Sequence, residues 1–349
     1  MNRTAFQRIY FQMFFLAVLS LGNRAQEVNL RERLSDLSSR PRPFPARLFA
    51  PYVDVSLKPP FSLVNTIAIT GVKYYTLAFV INSEKGGCQA TWDGSIPMSQ
   101  KYMLSEINAL RAKGGDVIVS FGGQGSTELA TACSDAVSLE GQYQSVISAY
   151  NLTHIDFDIE GPSLADDMSK DRRNKVIAAL QKKNADRGHE LNISYTLPVT
   201  PSGLTAEGIK ILQNAVTNKV NIATVNIMAM DYGGAEIANK MAQTAIDAAN
   251  KTFAQIQTIF FEKSADEVRT MIGVTPMIGT NDTKPEVFTL ADAKILFDYA
   301  KTNNVGRLSM WSMTRDKQCP KTTSSASPSC SSISQEPFAF SSIFKEFTQ

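Results

Sequence analysis

One segment limits what this chain can fold into more than any other: residues 154–160, which read HIDFDIE. Apolar and acidic residues alternate there with the period of a β-strand. Asp156, Asp158 and Glu160 therefore share one face of the strand, and the apolar residues share the other. Acids are depleted in strands, and neighbouring like charges repel. We interpret the acidic face as a catalytic one; a hard-cation site that includes His154 and a solvated surface strand are the alternatives.

The rest of the chain alternates short β-like runs with helix-like stretches, which is the pattern of an α/β protein. The β-like runs are residues 48–55, 74–81, 117–121, 154–160, 191–197, 223–230, 271–277 and 308–313. The helix-like stretches include residues 100–113, 136–149, 169–187, 205–218, 235–262, 290–303 and 337–347. Eight such repeats predict a (β/α)8 TIM barrel. The alternative, a doubly wound open sheet, needs a glycine-rich phosphate loop or a comparable motif, and none follows the first strand.

The predicted barrel gives the acidic segment a position. It is the fourth strand, and Glu160 is its last residue, at the C-terminal mouth where the active sites of such barrels lie. Asp158 is then one layer below the mouth, and Asp156 lies deeper. Two unit charges ~7 Å apart repel by about 2 kcal/mol at an effective dielectric near ~20. That repulsion raises the pKa of a neighbouring acid and helps to keep Glu160 protonated near neutral pH.

The N-terminus has the pattern of a secretory signal peptide. Arg3 and Arg8 form a basic region, residues 11–21 are mostly apolar, and small residues allow cleavage after Gly22 or Ala25. The apolar run is short for a membrane span, although a retained anchor is the alternative. We therefore expect a secreted protein that has no membrane segment once residues 1–25 are removed.

Composition separates the chain after residue 25 into two parts and indicates which kinds of partner it has. Residues 26–47 are rich in Arg, Ser and Pro and are predicted to be a leader, and residues 48–349 are predicted to form the barrel. The chain has 35 basic and 33 acidic residues, so it lacks the basic footprint of a nucleic-acid-binding protein. We expect a monomer without a cofactor.

An exported chain is expected to oxidise its four cysteines, for which three pairings are possible. We favour Cys88–Cys133 and Cys319–Cys330, the second of which closes a serine-rich loop. None of the four has CxxC spacing, which argues against a zinc site.

Asn151, Asn192, Asn250 and Asn281 head N-x-S/T sequons. Asn151 and Asn192 adjoin or lie in predicted strands, so we expect Asn250 and Asn281 to be the better glycan acceptors in a eukaryotic host.

The acidic segment resembles a motif of glycoside hydrolase family 18, the chitinase family. That motif is Asp-Gly-x-Asp-x-Asp-x-Glu, and this chain matches its last three acids at Asp156, Asp158 and Glu160. Thr153 and His154 replace its first Asp and its Gly. These two positions are farthest from the barrel mouth, so the departure concerns packing more than chemistry.

Further elements extend the resemblance from residue 48 to the C-terminus. Residues 120–123 (SFGG) resemble the family's Ser-x-Gly-Gly element, and residues 50–54 (APYVD) resemble its first strand. Residues 228–232 (MAMDY) resemble its Met-x-Tyr-Asp element, with Met230 in place of the usual Tyr. Trp311 corresponds to the family's eighth-strand tryptophan. The resemblance is greatest to the branch whose strands read DFDIEG and MAMDYG.

The resemblance implies a retaining hydrolysis of β-1,4-linked N-acetylglucosamine polymers in which the substrate's own acetamido group attacks. Glu160 would protonate the glycosidic oxygen. Asp158 would orient the acetamido N–H and stabilise the oxazolinium ion, and Asp156 would share a proton with Asp158.

The resemblance also implies a set of substrate contacts on the barrel mouth. These are Tyr52, Trp92, Tyr195, Met228, Asp231, Tyr232 and Trp311. Because Met230 cannot donate a hydrogen bond to the acetamido carbonyl, either Tyr232 or Tyr195 is expected to replace it, or the site is weaker. Trp311 would stack on the cleaved sugar. Trp92, in the second βα loop, would form an outer subsite.

Residues 277–290 leave no room for the small α+β domain that some relatives insert, so we expect an open groove and a non-processive endochitinase. An endo-β-N-acetylglucosaminidase acting on N-glycans and an inactive chitin-binding lectin are the alternatives. The presence of Glu160 argues against the lectin.

Overall fold

The computed structural model describes residues 40–321 and 323–348, so the predicted signal peptide and residues 26–39 of the leader lie outside the described residues. The compact unit begins at Pro41, seven residues before the first strand at Leu48. Within the described residues, no helix has the length and the apolar character that a membrane crossing requires.

Eight parallel strands close into a ring, which confirms the TIM barrel. In chain order they are β1 (Leu48–Phe49 with Tyr52–Asp54), β2 (Tyr74–Asn82), β3 (Asp116–Gly122), β4 (His154–Asp158), β5 (Asn192–Thr200), β6 (Ile222–Ala229), β7 (Ile272–Pro276) and β8 (Arg307–Leu308). Each strand pairs in parallel with the next, and β8 pairs with the first part of β1. Because the ring is closed, an open doubly wound sheet is excluded.

Helices cover the outside of the ring, as right-handed crossovers require. The α-helices of the described residues are Leu63–Thr70, Leu104–Ala112, Leu129–Ala132, Ala136–Tyr150, Asp167–Ala185, Ala206–Thr217, Met241–Ile259, Ala265–Met271, Leu290–Thr302 and Ala339–Phe344. The sequence pattern did not predict the helix Leu63–Thr70, because its β-branched residues are typical of strands. Local caps set its ends: the Ser62 side chain accepts from the Asn65 N–H, and Gly71 adopts φ 77°.

Short additional strands lie on the loops, in the pairs Ala90–Trp92 with Ile96–Pro97 and Gly279–Thr280 with Val287–Phe288, and at Gly203–Leu204 beside β5. The short hairpin after β7 leads directly to the helix Leu290–Thr302, so no α+β domain is inserted there, as predicted. The groove above the barrel is therefore not walled there by a separate domain.

Residues 41–47, which were assigned to the leader, pack across the N-terminal end of the barrel. The Phe44 ring lies 5.1 Å from the ring of Tyr74 and 4.0 Å from that of His154. The Tyr74 hydroxyl donates to the Pro43 carbonyl at 3.2 Å. His154 is thus part of an aromatic cluster at the end of the barrel opposite the mouth.

Both expected disulfides form, Cys88–Cys133 and Cys319–Cys330.

The expectation for the sequon at Asn281 was wrong, whereas that for Asn250 stays a prediction. Asn281 is fully buried, and its amide donates to the carbonyls of Met277 and Gly279. Asn250 is half-buried, and its Oδ1 accepts from Arg269 and from the hydroxyl of Tyr299.

Candidate active site

The alternation of β4 divides its side chains between two environments, as predicted. Ile155 and Phe157 face the helices, where the Phe157 ring stacks on that of Phe121 at 5.4 Å. Asp156 and Asp158 face the inside of the barrel. The strand ends at Asp158, two residues earlier than predicted, but Glu160 remains extended, with φ −145° and ψ 176°. The three acids therefore rise through the barrel in the expected order.

Asp156 is fully buried and is held by hydroxyl groups. Its Oδ2 accepts from Ser120 at 2.7 Å and from Tyr52 at 2.9 Å. Its Oδ1 accepts from Ser194 at 2.5 Å and from Thr196 at 2.9 Å. Four donors on two oxygens are the environment of a carboxylate anion, because hydrogen bonds to the charged form stabilise it.

Asp158, two residues along the same face, has the opposite environment. It is 6% exposed, and its Oδ1 has no hydrogen-bond partner among the described residues. Burial, the charge of Glu160 and the charge of Asp156 raise the pKa of Asp158 well above its ordinary value. The pair therefore carries an anion at Asp156 and a protonated acid at Asp158, with one acceptor of Asp158 left for a ligand.

Two glycines of the Ser-x-Gly-Gly element allow the neighbouring strand and loop to approach Asp158. Gly122 adopts φ 105° and lies against the Asp158 carbonyl, which also accepts from the Gly123 N–H at 3.1 Å. A Cβ on Gly123 would lie 2.6 Å from the ring of Phe79. Side chains at these positions would displace either the catalytic strand or the aromatic floor.

Glu160 is half-buried at the top of the series. Burial, opposed by a hydrogen bond from the Gln124 backbone and assisted by the charge of Asp231, raises the pKa of Glu160 to about 7. The acid is therefore protonated in mildly acidic solution and can supply a proton to a bound ligand.

An aromatic floor lies beside the carboxyls. The half-buried Trp311 indole stacks on Phe79, with ring centroids 5.6 Å apart and an interplanar angle of 17°. The Tyr52 ring lies 5.9 Å from that of Trp311. A cavity of about 450 Å³ opens above this floor. Its lining includes Asp158, Glu160, Met228, Met230, Asp231, Tyr52, Phe79 and Trp311.

Asp231 reaches the cavity from the end of β6 and is fixed by the loop after β7. Its carboxylate accepts from the Thr283 N–H at 2.7 Å. Burial raises the pKa of Asp231, Asp282 raises it as well, and the Thr283 hydrogen bond lowers it. The neighbouring backbone is held by Glu286, which accepts from the N–H groups of Tyr232 and Gly233. Asp231 is thus a fixed carboxyl facing Glu160.

Three predicted substrate contacts do not reach the cavity. Tyr195 lies on the helix-facing side of β5, and its hydroxyl donates to Asn174 at 2.6 Å. Trp92 is fully buried, and its indole N–H donates to Tyr150 at 2.7 Å. The ring of Tyr232 packs against the hydrophobic core and does not line the cavity. These three predictions were wrong, and neither proposed tyrosine replaces the missing donor at Met230.

Several polar side chains inside the barrel were not predicted from the sequence. Thr196 accepts from the Asn226 amide at 3.0 Å, and Asn226 in turn accepts from Thr275 at 2.9 Å. Arg307 lies 4.0 Å from Asp156. The sequence did contain one sign of this polar interior: Ser194 and Thr196 occupy alternate positions of β5, so both side chains lie on its inner face.

Among residues 40–321 and 323–348, no group of three or more His, Cys, Asp and Glu side chains is arranged to hold a metal ion. His154, the nitrogen ligand of the alternative cation site, lies against Phe44 at the other end of β4. The geometry instead combines a proton donor, a buried acid with a free acceptor, and an aromatic platform, which are groups that acid-catalysed cleavage of a glycosidic bond can use.

Comparisons with known proteins agree with this site. No family model matches the chain. The catalytic domain of a hyperthermophilic chitinase from Pyrococcus furiosus is 37% identical, with 88% of this chain and 96% of that chain covered and a TM-score of 0.79. Catalytic-site mutants of active domain 2 of a thermostable chitinase from Pyrococcus furiosus, 36% identical, have been solved in complex with chito-oligosaccharides.

Two curated relatives are longer proteins. A probable bifunctional chitinase/lysozyme from Escherichia coli (strain K12) is 37% identical over 316 residues, which are 88% of this chain and 35% of the relative. Endochitinase 11 from Metarhizium anisopliae is 37% identical over 280 residues, which are 78% of this chain and 53% of the relative. The chain thus spans about a third and about half of these relatives.

The closed barrel and its carboxyl-lined, aromatic-floored cavity define a TIM-barrel glycoside hydrolase. The identity of 37% across nearly the whole Pyrococcus domain fixes the family. The chain belongs to glycoside hydrolase family 18, the chitinase family.

Proposed function

We propose that this protein is a secreted endochitinase that cleaves β-1,4-linked N-acetylglucosamine polymers with retention of configuration. One observation carries the proposal: Asp158 and Glu160 line the same cavity beside Trp311, and burial raises the pKa of both acids. The relatives are named chitinases, and the Pyrococcus domain binds chito-oligosaccharides in its solved complex.

The first half of the reaction follows from the protonation states. Glu160 transfers its proton to the glycosidic oxygen as the bond from that oxygen to C1 breaks. The acetamido oxygen of the same sugar forms a bond to C1 and closes an oxazolinium ion. The free Oδ1 of Asp158 accepts the acetamido N–H and thereby orients the attack. As positive charge develops, the proton held by Asp158 moves toward Asp156, which leaves negative charge beside the ring.

The second half reverses the role of Glu160. Its carboxylate takes a proton from water as the water oxygen attacks C1 and the bond to the acetamido oxygen breaks. Two inversions at C1 give a β product from a β-linked substrate. The Trp311 indole supports the apolar face of the reacting sugar.

Two observations support endo-type cleavage without processivity. A hairpin rather than a domain follows β7. Of the two tryptophans in the chain, Trp311 lines the cavity and Trp92 is buried in the core. A sliding polymer therefore meets few aromatic platforms.

The N-terminal sequence pattern and the two disulfides support secretion. We infer that the secreted chain acts as a monomer.

Hydrolysis of chitin oligomers, compared with hydrolysis of a high-mannose glycopeptide, tests the proposal. We expect cleavage of the oligomers, products whose initial anomer is β, and inhibition by an N-acetylglucosamine-derived thiazoline. Cleavage of the glycopeptide alone would assign the protein as an endo-β-N-acetylglucosaminidase. Oligomer binding without cleavage of either substrate would assign it as a lectin.

A further inference from the structure

Arg307 is a buried cation directly beneath the catalytic carboxyls. It begins β8 at the N-terminal end of the barrel and is 2% exposed. Its Nη1 lies 4.0 Å from the Asp156 Oδ1 and donates to the Ser194 hydroxyl at 3.2 Å. Ser194 donates in turn to the same Asp156 oxygen at 2.5 Å. The Arg307 Nη2 donates to Thr76 at 2.6 Å. The guanidinium is therefore held by β2 and β5 at a defined distance from the anion.

Arg307 is not one of the residues that contact the substrate. The lining of the catalytic cavity does not include it, whereas a second cavity, at the N-terminal end of the barrel, does. An arginine is expensive to bury without a partner, and inner barrel positions are usually filled by apolar side chains. The partner in this barrel is Asp156, so the role of Arg307 concerns the charge of that carboxylate.

We propose that Arg307 is a positioning residue that keeps the Asp156–Asp158 pair at a single negative charge during turnover. This inference rests on the proposed function. The oxazolinium ion needs one negative charge that can move from Asp156 to Asp158, and a pair with two protons has none. By stabilising the anion at Asp156, the guanidinium prevents uptake of the second proton as the pH falls.

Among the described groups that face Asp156, Arg307 is the one that carries a positive charge. They come from β1, β3, β4, β5 and β8, and they are Tyr52, Ser120, Asp158, Ser194, Thr196 and Arg307. The first five are hydroxyls and a carboxyl, so they carry no positive charge. His154, the histidine of the same strand, has its pKa lowered to about 4 by burial and by the charge of Arg307, so it is neutral at working pH.

Arg307→Gln tests the proposal, because the amide retains hydrogen-bond donors and loses the charge. Without the nearby cation the pair takes its second proton at higher pH. We expect the acidic limb of the kcat-against-pH profile to move up by about 1–3 pH units. The alkaline limb, which Glu160 sets, should stay in place, and KM above the acidic limb should change less than twofold. In Arg307→Lys, which keeps the positive charge, the acidic limb should lie close to its wild-type pH.

Arg173→Gln is the matched control. Arg173 is also a fully buried arginine paired with an acid, Glu128, but it lies outside the barrel. Its loss should lower the melting temperature without moving either limb. If Arg307→Gln lowers stability and leaves the acidic limb unchanged, or if Arg307→Lys moves the limb as far as Arg307→Gln does, Arg307 is structural and the proposal is wrong.

Ser194→Ala gives a second measurement if Arg307→Gln does not fold. It removes the bridging hydroxyl while the guanidinium stays, so a smaller upward movement of the same limb is expected. No movement would contradict the proposal. Wild-type protein that cleaves no chitin oligomer would instead refute the proposed function, so the two failures are distinguishable.

Discussion

Replacement of Glu160 by Gln should make the folded protein more stable as well as inactive. The pKa of Glu160 rises from 4.5 to about 7, first because the carboxyl is buried and then because Asp231 is close. In the unfolded chain the carboxyl ionises near its ordinary pKa. Between these two values the folded state binds more protons than the unfolded state, so stability falls as the pH rises through this interval.

The size of the effect follows from the two pKa values. At about 1.36 kcal/mol per pH unit, the interval between 4.5 and about 7 corresponds to about 3 kcal/mol. Wild-type protein bears this cost in full above about pH 7 and not at all below about pH 4.5. Gln has the same shape, never ionises and still accepts from the Gln124 N–H. The difference in unfolding free energy should therefore grow from near zero to about 3 kcal/mol across this range.

Urea unfolding of both proteins at several pH values, each reported by the fluorescence of the buried tryptophan, measures this difference. Glu262→Gln is the control, because Glu262 is exposed and its replacement should change stability little at any pH. Turnover of chitin oligomers should fall by at least about 100-fold in Glu160→Gln, with binding retained. A stability gain that is the same at every pH, or no gain above neutral pH, would refute the reasoning.

Three further predictions concern the same site and its surroundings. Asp158→Asn should reduce turnover by at least about 100-fold with little effect on the binding of chitin oligomers, because the amide cannot deliver negative charge to the oxazolinium ion; near-normal kcat would contradict its role. EDTA should not change the rate of hydrolysis, since Glu160 and the acetamido group supply the chemistry, and an activity that metal addition restores would support the cation site instead. Joint replacement of Cys319 and Cys330 by Ser should cost roughly 3 kcal/mol of stability and also weaken oligomer binding, which calorimetry and titration would measure.

The expected loss of binding in the cysteine variant depends on Arg315, which was not predicted to matter. Its guanidinium donates to the carbonyl of Ser327 inside the disulfide loop and to those of Ile278 and Thr280 on the hairpin after β7. The hairpin in turn leads to the Thr283 N–H that holds Asp231. Opening the disulfide loop should therefore loosen one side of the cavity as well as the segment that follows Trp311.

The acids of β4 could be predicted from the sequence because their signal is local. A period of two determines which side chains share a face, and the order of strand and helix determines which end is the mouth. The same rule would have excluded Tyr195. It pairs in register with Phe157 and alternates with Ser194 and Thr196, so it must lie on the outer face. A phenolic donor near the site is chemically attractive, but the alternation of the strand is the better guide to where its side chain lies.

Other features depend on contacts between distant parts of the chain, and no local pattern predicts them. Trp92 follows a cysteine in a loop, which suggests exposure, yet it is buried against Tyr150, 58 positions away. Asn281 heads a sequon in a turn, where polar residues are usually solvated, yet it is buried and its Oδ1 accepts from the Asp231 N–H, 50 positions away, at 3.4 Å. In each case a side-chain hydrogen bond compensates for burial, and only the assembled barrel supplies the partner.

The absence of a tyrosine at Met230 changes how the cavity must stabilise its intermediate. Met230 lines the cavity at the place of the usual hydroxyl, while Tyr195 and Tyr232 do not reach it. The acetamido oxygen therefore lacks a phenolic donor from any of these three positions as it attacks C1. Stabilisation of the resulting cation then depends more heavily on negative charge at Asp158. In the proposed mechanism that charge originates at Asp156, so we expect a cation fixed beneath Asp156 to influence turnover more strongly when the tyrosine is absent.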